Sequence, residues 1–300
     1  MDFPSAIASA QTITEFPVNT FLESIVVGAD NTLFITSHYE GKVFRIGSDG
    51  VPEIHATIQG KATGLALTPD GEILLSGWDE QETSVVWCIS ANGTVELLAK
   101  MPEALFLNGL TRLSGNRYLI ADSYRGAIWE LDLSTKTVGI WLEHPFLARS
   151  SPEEVFPAVN GLKIYENFLY ASNTQKQQIV KISILANDRP GEPEIFLTGM
   201  NMDDFAFDKM GNLYGTTHVF NSVVKIRCDS QRDANRPTVT TIAQLEQGMA
   251  GSTAVAFGKT EGNLTHLYVT TNGGMSFPPP TGIESAKVVC LDVGIEGLPL

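Results

Sequence analysis

One phrase recurs six times along the chain, and a repeat of this kind constrains the fold before any single residue is considered. Each copy is a short apolar strand opened by a polar residue, a turn rich in Gly, Asn or Asp, and a second strand built on Leu-Tyr or its like. The copies open at Glu23, Thr63, Asn108, Asn160, Asp203 and Thr253, spaced 40, 45, 52, 43 and 50 residues apart. Propeller blades repeat at about 40–50 residues. A third strand follows in every copy (42–46, 84–89, 127–131, 178–182, 222–227, 286–291), and a fourth in five of them (53–57, 95–99, 138–142, 194–197, 239–243). The sixth copy has no fourth strand of its own, but residues 12–16 form an unclaimed strand at the other end. The pattern therefore predicts an all-β, six-bladed β-propeller of four antiparallel strands per blade. Its ring is closed by the N-terminal strand completing the last blade, so that no sheet edge stays open. One domain over 1–300 is expected, with tails at 1–10 and 294–300.

The residues that open the blades occupy equivalent places around one mouth of such a propeller. A residue starting a core strand is ordinarily Val, Ile, Gly or Thr. Here the ring reads Glu23, Thr63, Asn108, Asn160, Asp203 and Thr253, with two carboxylates and no cation. Two carboxylates converging on one axis repel each other, and an oxygen-only donor set favours a hard divalent cation over zinc or copper. Water alone is the other occupant such a ring admits.

At these residues the chain resembles the gluconolactonase/regucalcin (senescence marker protein) family. The resemblance rests on the spacing of Glu23, Asn108, Asn160 and Asp203 and on the closing run from Thr253 to Thr271, and it spans residues 12–293. It implies a six-bladed propeller with one divalent metal at the channel mouth, and in many members lactone hydrolysis. Glu23, Asn160 and Asp203 then correspond to the metal ligands, and Asn108 to the asparagine that contacts substrate or water beside the metal. Calcium is the expected ion, with Mg²⁺, Mn²⁺ or Zn²⁺ as alternatives. Sugar-lactone members commonly carry an Arg two residues before that asparagine and an acid just after it. Here those positions are Phe106 and Gly109, which argues for a small-molecule substrate less polar than a sugar lactone.

Loops on the same face carry Trp78, Tyr124, Phe156, His38 and His218, read as substrate-pocket candidates, together with Phe146, Phe220 and Met275. Such a rim is more apolar than a sugar binder's. Residues 143–159 form a long insertion there, a candidate lid. The expected chemistry is hydrolysis of a lactone or related ester, with Asp203 accepting a proton from water and Asn108 holding the water or carbonyl. A metal-containing propeller that binds a hydrophobic metabolite, or isomerises or cyclises it, is the alternative.

Composition narrows the partners. Acids outnumber bases 34 to 20, giving a net charge of −14, which argues against nucleic acid and anionic membrane surfaces. No run of about 20 apolar residues is present, and the opening residues do not look like a secretory signal. Three scattered cysteines, Cys88, Cys228 and Cys290, read as free thiols packed as small hydrophobes in a reducing compartment. A cytoplasmic location is expected. Serine-hydrolase elbows, phosphate loops and dinucleotide fingerprints are missing from the sequence.

Overall fold

A computed structural model describes residues 3–227 and 237–298. Strand β1 (Ser9–Val18) precedes five consecutive four-stranded sheets. The first is β2 (Leu22–Val27), β3 (Leu33–Ser37), β4 (Lys42–Ile46) and β5 (Pro52–Thr57), and the second β6 (Gly60–Leu67), β7 (Ile73–Asp79), β8 (Ser84–Ile89) and β9 (Val95–Lys100). The third is β10 (Leu107–Ser114), β11 (Arg117–Asp122), β12 (Ala127–Asp132) and β13 (Thr137–Glu143), and the fourth β14 (Val159–Tyr165), β15 (Phe168–Asn173), β16 (Gln178–Ile184) and β17 (Pro190–Thr198). The fifth is β18 (Phe205–Phe207), β19 (Leu213–Thr217), β20 (Ser222–Arg227) and β21 (Thr238–Ala243). The sixth sheet has the order β1, then β24 (Ser285–Asp292), β23 (His266–Thr271) and β22 (Ser252–Phe257). The fold is a six-bladed β-propeller. Strand β1 pairs antiparallel with β24 from Ser9 opposite Asp292 to Val18 opposite Ser285, so the ring is closed by the N-terminal strand as the repeat count predicts.

By packing density the chain falls into two compact units, Met1–Ile35 with Arg45–Glu53 and Asp203–Leu300, and Thr36–Phe44 with Ile54–Met202. The first is built on a core that includes Tyr214, Val223, Met249, Val255, Leu267 and Val289. The second has two clusters, one around Leu107, Tyr118, Ile120 and Trp129 and one around Leu119, Leu147, Leu162 and Val180. Apolar positions on opposite faces of the same strand, such as Leu119 and Ile120, feed different clusters, which is why these strands read as continuous apolar runs. Among the described residues no helix is long and apolar enough to cross a membrane. Cys290 is buried and Cys88 half-buried, both as free thiols; burial pushes each thiol up to about 11. Cys228 lies outside the described residues.

The innermost strands are irregular where their opening residues sit. The pairing register shifts between Ala62 and Leu65, Leu107 and Leu110, Val159 and Leu162, and Ser252 and Val255. A hydroxyl from the second strand fills the gap left in the ladder. Ser76 Oγ accepts from the Gly64 amide at 3.0 Å and donates to the Asn108 carbonyl at 2.8 Å. Thr216 Oγ1 accepts from the Asp204 amide at 3.1 Å and donates to the Thr253 carbonyl at 2.8 Å. Ser172 and Thr270 take the amides of Gly161 and Ala254 at 2.9 and 3.2 Å. Buried backbone groups demand partners, so these hydroxyls permit the bulges that aim the opening side chains. The close approach also explains Gly109, since a Cβ there would meet the Asn160 carbonyl oxygen at 2.6 Å.

Candidate metal and substrate site

Within the first unit, Glu23 is the second residue of β2 and keeps partial exposure, although its carboxyl is closely surrounded by protein. Asp203 lies two residues before β18 rather than inside it and is 7% exposed. Its place is nevertheless fixed by strand-like bonds, from the Asp203 amide to the Thr216 carbonyl and from the Thr216 amide to the Asp204 carbonyl, each 3.0 Å. Desolvation, and after it the charges of Asp203 and Asp204, hold the Glu23 carboxyl well above the usual carboxylate range. The charges of two acids thus bear on Glu23: Asp203, named with it in the sequence analysis, and Asp204, which that reading did not name.

His218 follows β19 and sets its Nδ1 3.5 Å from Asp203 Oδ2. Its tautomer follows from its other neighbour. Asn272 Oδ1 accepts from the amides of Gly274 (2.9 Å) and Met275 (3.3 Å), so the carboxamide turns its nitrogen toward His218 Nε2 at 2.9 Å. An NH₂ group can only donate, so Nε2 accepts and the ring proton sits on Nδ1, facing Asp203. Phe21 and Phe277 present their rings edgewise at 6.1 and 6.3 Å. His218, a substrate-pocket candidate of the sequence analysis, thus lies beside Asp203. The signal was an Asn at the end of β23 in the same repeat position as His218 at the end of β19.

Within the second unit, Asn108 and Asn160 are each 4% exposed. Asn108 Nδ2 donates to Ser123 Oγ at 3.3 Å, and Ser123 passes its own hydrogen to the Val159 carbonyl at 2.6 Å. Asn160 Nδ2 donates to Thr174 Oγ1 at 3.2 Å, and Thr174 donates to the Met202 carbonyl at 2.8 Å. Each amide is therefore turned nitrogen-first toward its second strand, with its oxygen on the other side. Thr63 is fully buried, and its Oγ1 has no hydrogen-bond partner among the described residues. Thr253 instead spends its hydroxyl on the Leu22 and Thr270 carbonyls at 2.9 and 3.1 Å, a structural clasp.

Three of the pocket candidates stack in one row. Trp78 and Phe106 lie 4.4 Å apart at 35°, Phe106 and Tyr124 5.0 Å apart at 80°, with His38 6.0 Å beyond Trp78. Lys61 and Arg149 sit over the end rings, 5.7 Å from Trp78 and 4.3 Å from Tyr124. His38 donates from Nδ1 to the Ala62 carbonyl at 2.8 Å, and burial lowers its pKa to about 4, so it is neutral at pH 7. Phe156 is half-buried on the insertion. A residue that sequence reading passed over holds the wall in place. Fully buried Asp122 accepts from the amides of Leu105, Phe106 and Arg125 at 3.0, 2.9 and 3.2 Å, and from Trp129 Nε1 at 3.1 Å.

The insertion is fastened at both ends. Asn173 Nδ2 holds the carbonyls of Phe146 and Ala148, Gln178 Nε2 also holds Phe146, and the Ala158 amide bonds the Ser123 carbonyl. Leu147 is fully buried and Val155 is 77% exposed, so the segment is anchored in its first half and stands clear at Val155.

Among the described residues, no three His, Cys, Asp or Glu side chains come together as a metal-holding group. The acidic donor candidates of the first unit are two carboxylates, Glu23 and Asp203. That chemistry fits a hard dication, because burial first, and then the charges of Asp203 and Asp204, disfavour a bare Glu23 carboxylate.

No protein-family model matches the chain. It is 26% identical over 304 residues to a candidate hetero-Diels-Alderase of Phoma sp, covering 86% of this chain and 85% of that one. Its fold matches regucalcin, a calcium-binding protein of Agrobacterium tumefaciens, with TM-score 0.70 and 17% identity over 98% of this chain and 95% of that one. A gluconolactonase of Xanthomonas campestris aligns with TM-score 0.70 and 14% identity (97% and 90% coverage), and a luciferin-regenerating enzyme with 0.71 and 15% (97% of each). At these identities the likeness is one of fold, and the chain has the fold of the gluconolactonase and regucalcin propellers.

Proposed function

We propose that the protein is a divalent-metal-dependent hydrolase of a lactone or related ester less polar than a sugar lactone. What carries this reading is the approach of His218 Nδ1 to Asp203 Oδ2 at 3.5 Å, with Asn272 on the other ring nitrogen, beside a buried Glu23 carboxyl on which the charges of Asp203 and Asp204 bear. Glu23 and Asp203 would hold the ion. Asn160, with Asn108 beside it, enters the proposal through its place at the start of an innermost strand and the resemblance noted above. The dication, calcium before magnesium, manganese or zinc, supplies Lewis-acid polarisation of the substrate carbonyl.

The protein's own groups do the rest. Asp203 accepts a proton from the attacking water, while the His218 Nδ1–H keeps its carboxylate from rotating. Asn108, turned nitrogen-first toward Ser123, presents an acceptor oxygen that suits a water better than a carbonyl. The Trp78, Phe106 and Tyr124 rings supply apolar contact where a polyol would need charged hydrogen bonds.

A second reading, non-hydrolytic cyclisation or isomerisation of a hydrophobic metabolite, is favoured by the same aromatic row together with the Phoma relative. A panel of aliphatic and sugar lactones assayed with Ca²⁺, Mg²⁺, Mn²⁺ and Zn²⁺ separates the two. Turnover of aliphatic lactones that disappears in Asp203→Ala supports hydrolysis. Turnover surviving that change refutes the mechanism, and metal binding without turnover of any lactone favours the second reading.

A further inference from the structure

Between the third and fourth blades of the second unit lies a cleft of about 420 Å³ whose lining includes Arg125, Glu143, His144, Arg149 and Lys176. Three permanent cations face one carboxylate there, in a chain whose acids outnumber its bases 34 to 20. None of the proposed metal or catalytic residues lines it.

Arg149 and Lys176 donate to neutral carbonyls, whereas Arg125 also donates from Nε and Nη2 to the Glu143 carboxylate. Arg149 Nη1 donates to the Pro152 and Glu154 carbonyls at 3.1 and 2.8 Å, its guanidinium lies 4.3 Å from the Tyr124 ring centre, and its enclosed Nε has no hydrogen-bond partner among the described residues. Lys176 Nζ donates to the Pro145 carbonyl at 2.6 Å. Arg125 donates from Nη1 to the Glu103 carbonyl at 3.2 Å and lies 5.4 Å from the Trp129 ring centre. The lone acid in the lining, Glu143, meets Arg125 at 3.4 Å and is 51% exposed, so it cancels little of that charge. Glu192 approaches His144 at 3.9 Å with its side chain 90% exposed. Carbonyls and ring faces position cations without neutralising them. An incoming anion therefore meets donors already in place and loses little entropy in ordering them. The cleft itself depends on Gly126, at φ +77°, where a Cβ would come within 2.4 Å of the Ala148 Cα.

We propose that this cleft is a binding site for a small dianionic oxyanion of the phosphate or phosphate-monoester class. Its three basic side chains against one lining carboxylate, with their guanidinium and ammonium donors, match such a ligand. The site stands independently of the chemistry proposed at Asp203.

Calorimetric titration with inorganic phosphate, at low and near-physiological chloride, tests this. Wild type should bind about one equivalent saturably, and Lys176→Gln and Arg125→Gln should each weaken binding about tenfold or more. Lys42→Gln, which alters a cation outside the cleft, should bind as wild type does. If Arg125→Gln fails to fold, Lys176→Gln, which removes only a side-chain contact to a carbonyl, carries the test. Absence of saturable heat, undiminished binding in Lys176→Gln, or equal weakening in Lys42→Gln overturns the site. Acetate binding as tightly as phosphate overturns the dianion assignment.

Discussion

Thr216 is where the fold holds the candidate site most directly, and replacing it with Val makes the sharpest structural test. The residue is fully buried on β19. Its hydroxyl accepts from the Asp204 amide at 3.1 Å and donates to the Thr253 carbonyl at 2.8 Å, with the Asp204 carbonyl also within 3.0 Å. Val has nearly the same shape but neither donates nor accepts, so Thr216→Val strips partners from one buried amide and at least one buried carbonyl. At about 1–3 kcal/mol for each orphaned group, the expected loss is about 2–6 kcal/mol. Thr216→Ser keeps the hydroxyl and loses one methyl, about 1 kcal/mol. Denaturant unfolding of both variants reads the difference, and a Val variant no less stable than the Ser variant refutes the bracing role. Because Asp203 is the neighbour of the amide set loose, Thr216→Val should also weaken metal binding, whereas Thr216→Ser should not.

Three further outcomes follow from the same geometry. In metal-free protein, Glu23 titrates above the ordinary carboxylate range because of burial, then Asp203 and Asp204. The folded chain thus binds more protons than the unfolded chain between those two values, and stability falls as pH rises through that window, by up to about 1.4 kcal/mol per pH unit. Glu23→Gln should flatten that fall in melting profiles recorded with chelator, and parallel profiles would contradict it. Phe106→Ala removes the middle ring of the aromatic row and should raise KM for an aliphatic lactone about tenfold while changing kcat little; an unchanged KM removes the row from the substrate site. Gly109→Asp restores the acid common in the resembled family, yet its Cβ would crowd the Asn160 carbonyl at 2.6 Å. It should cost about 1–3 kcal/mol in denaturant unfolding, and a neutral effect would show that the strands can separate there.

The blade count, the closing strand and the opening residues were legible because each is written locally, in a period and a turn composition that repeat. Asp203 shows where that reading thins. The repeat locates it, but the strand proper begins at Phe205, and strand-like bonds to Thr216 keep it in line. The hydroxyls at Ser76, Ser172, Thr216 and Thr270 also recur in phase with the repeat. They passed for ordinary strand residues because their task, filling a ladder gap, exists only once two strands pair. Asp122 was invisible for a related reason, and Asn272 showed its place in the repeat but not its partner. Asp122 serves amides 16 and 17 residues away, and Asn272 serves a ring 54 residues away, distances that no local pattern encodes. The insertion's length suggested a lid, and length alone could not disclose that Asn173 and Gln178 fasten its first half.

Titration calorimetry of Ca²⁺ into chelator-stripped protein tests the central claim most directly. The account predicts a single saturable equivalent per chain, lost in both Asp203→Asn and Glu23→Gln, with the folded state of each variant intact. Wild-type protein that takes up neither Ca²⁺, Mg²⁺, Mn²⁺ nor Zn²⁺, or variants that bind as the parent does, would contradict it.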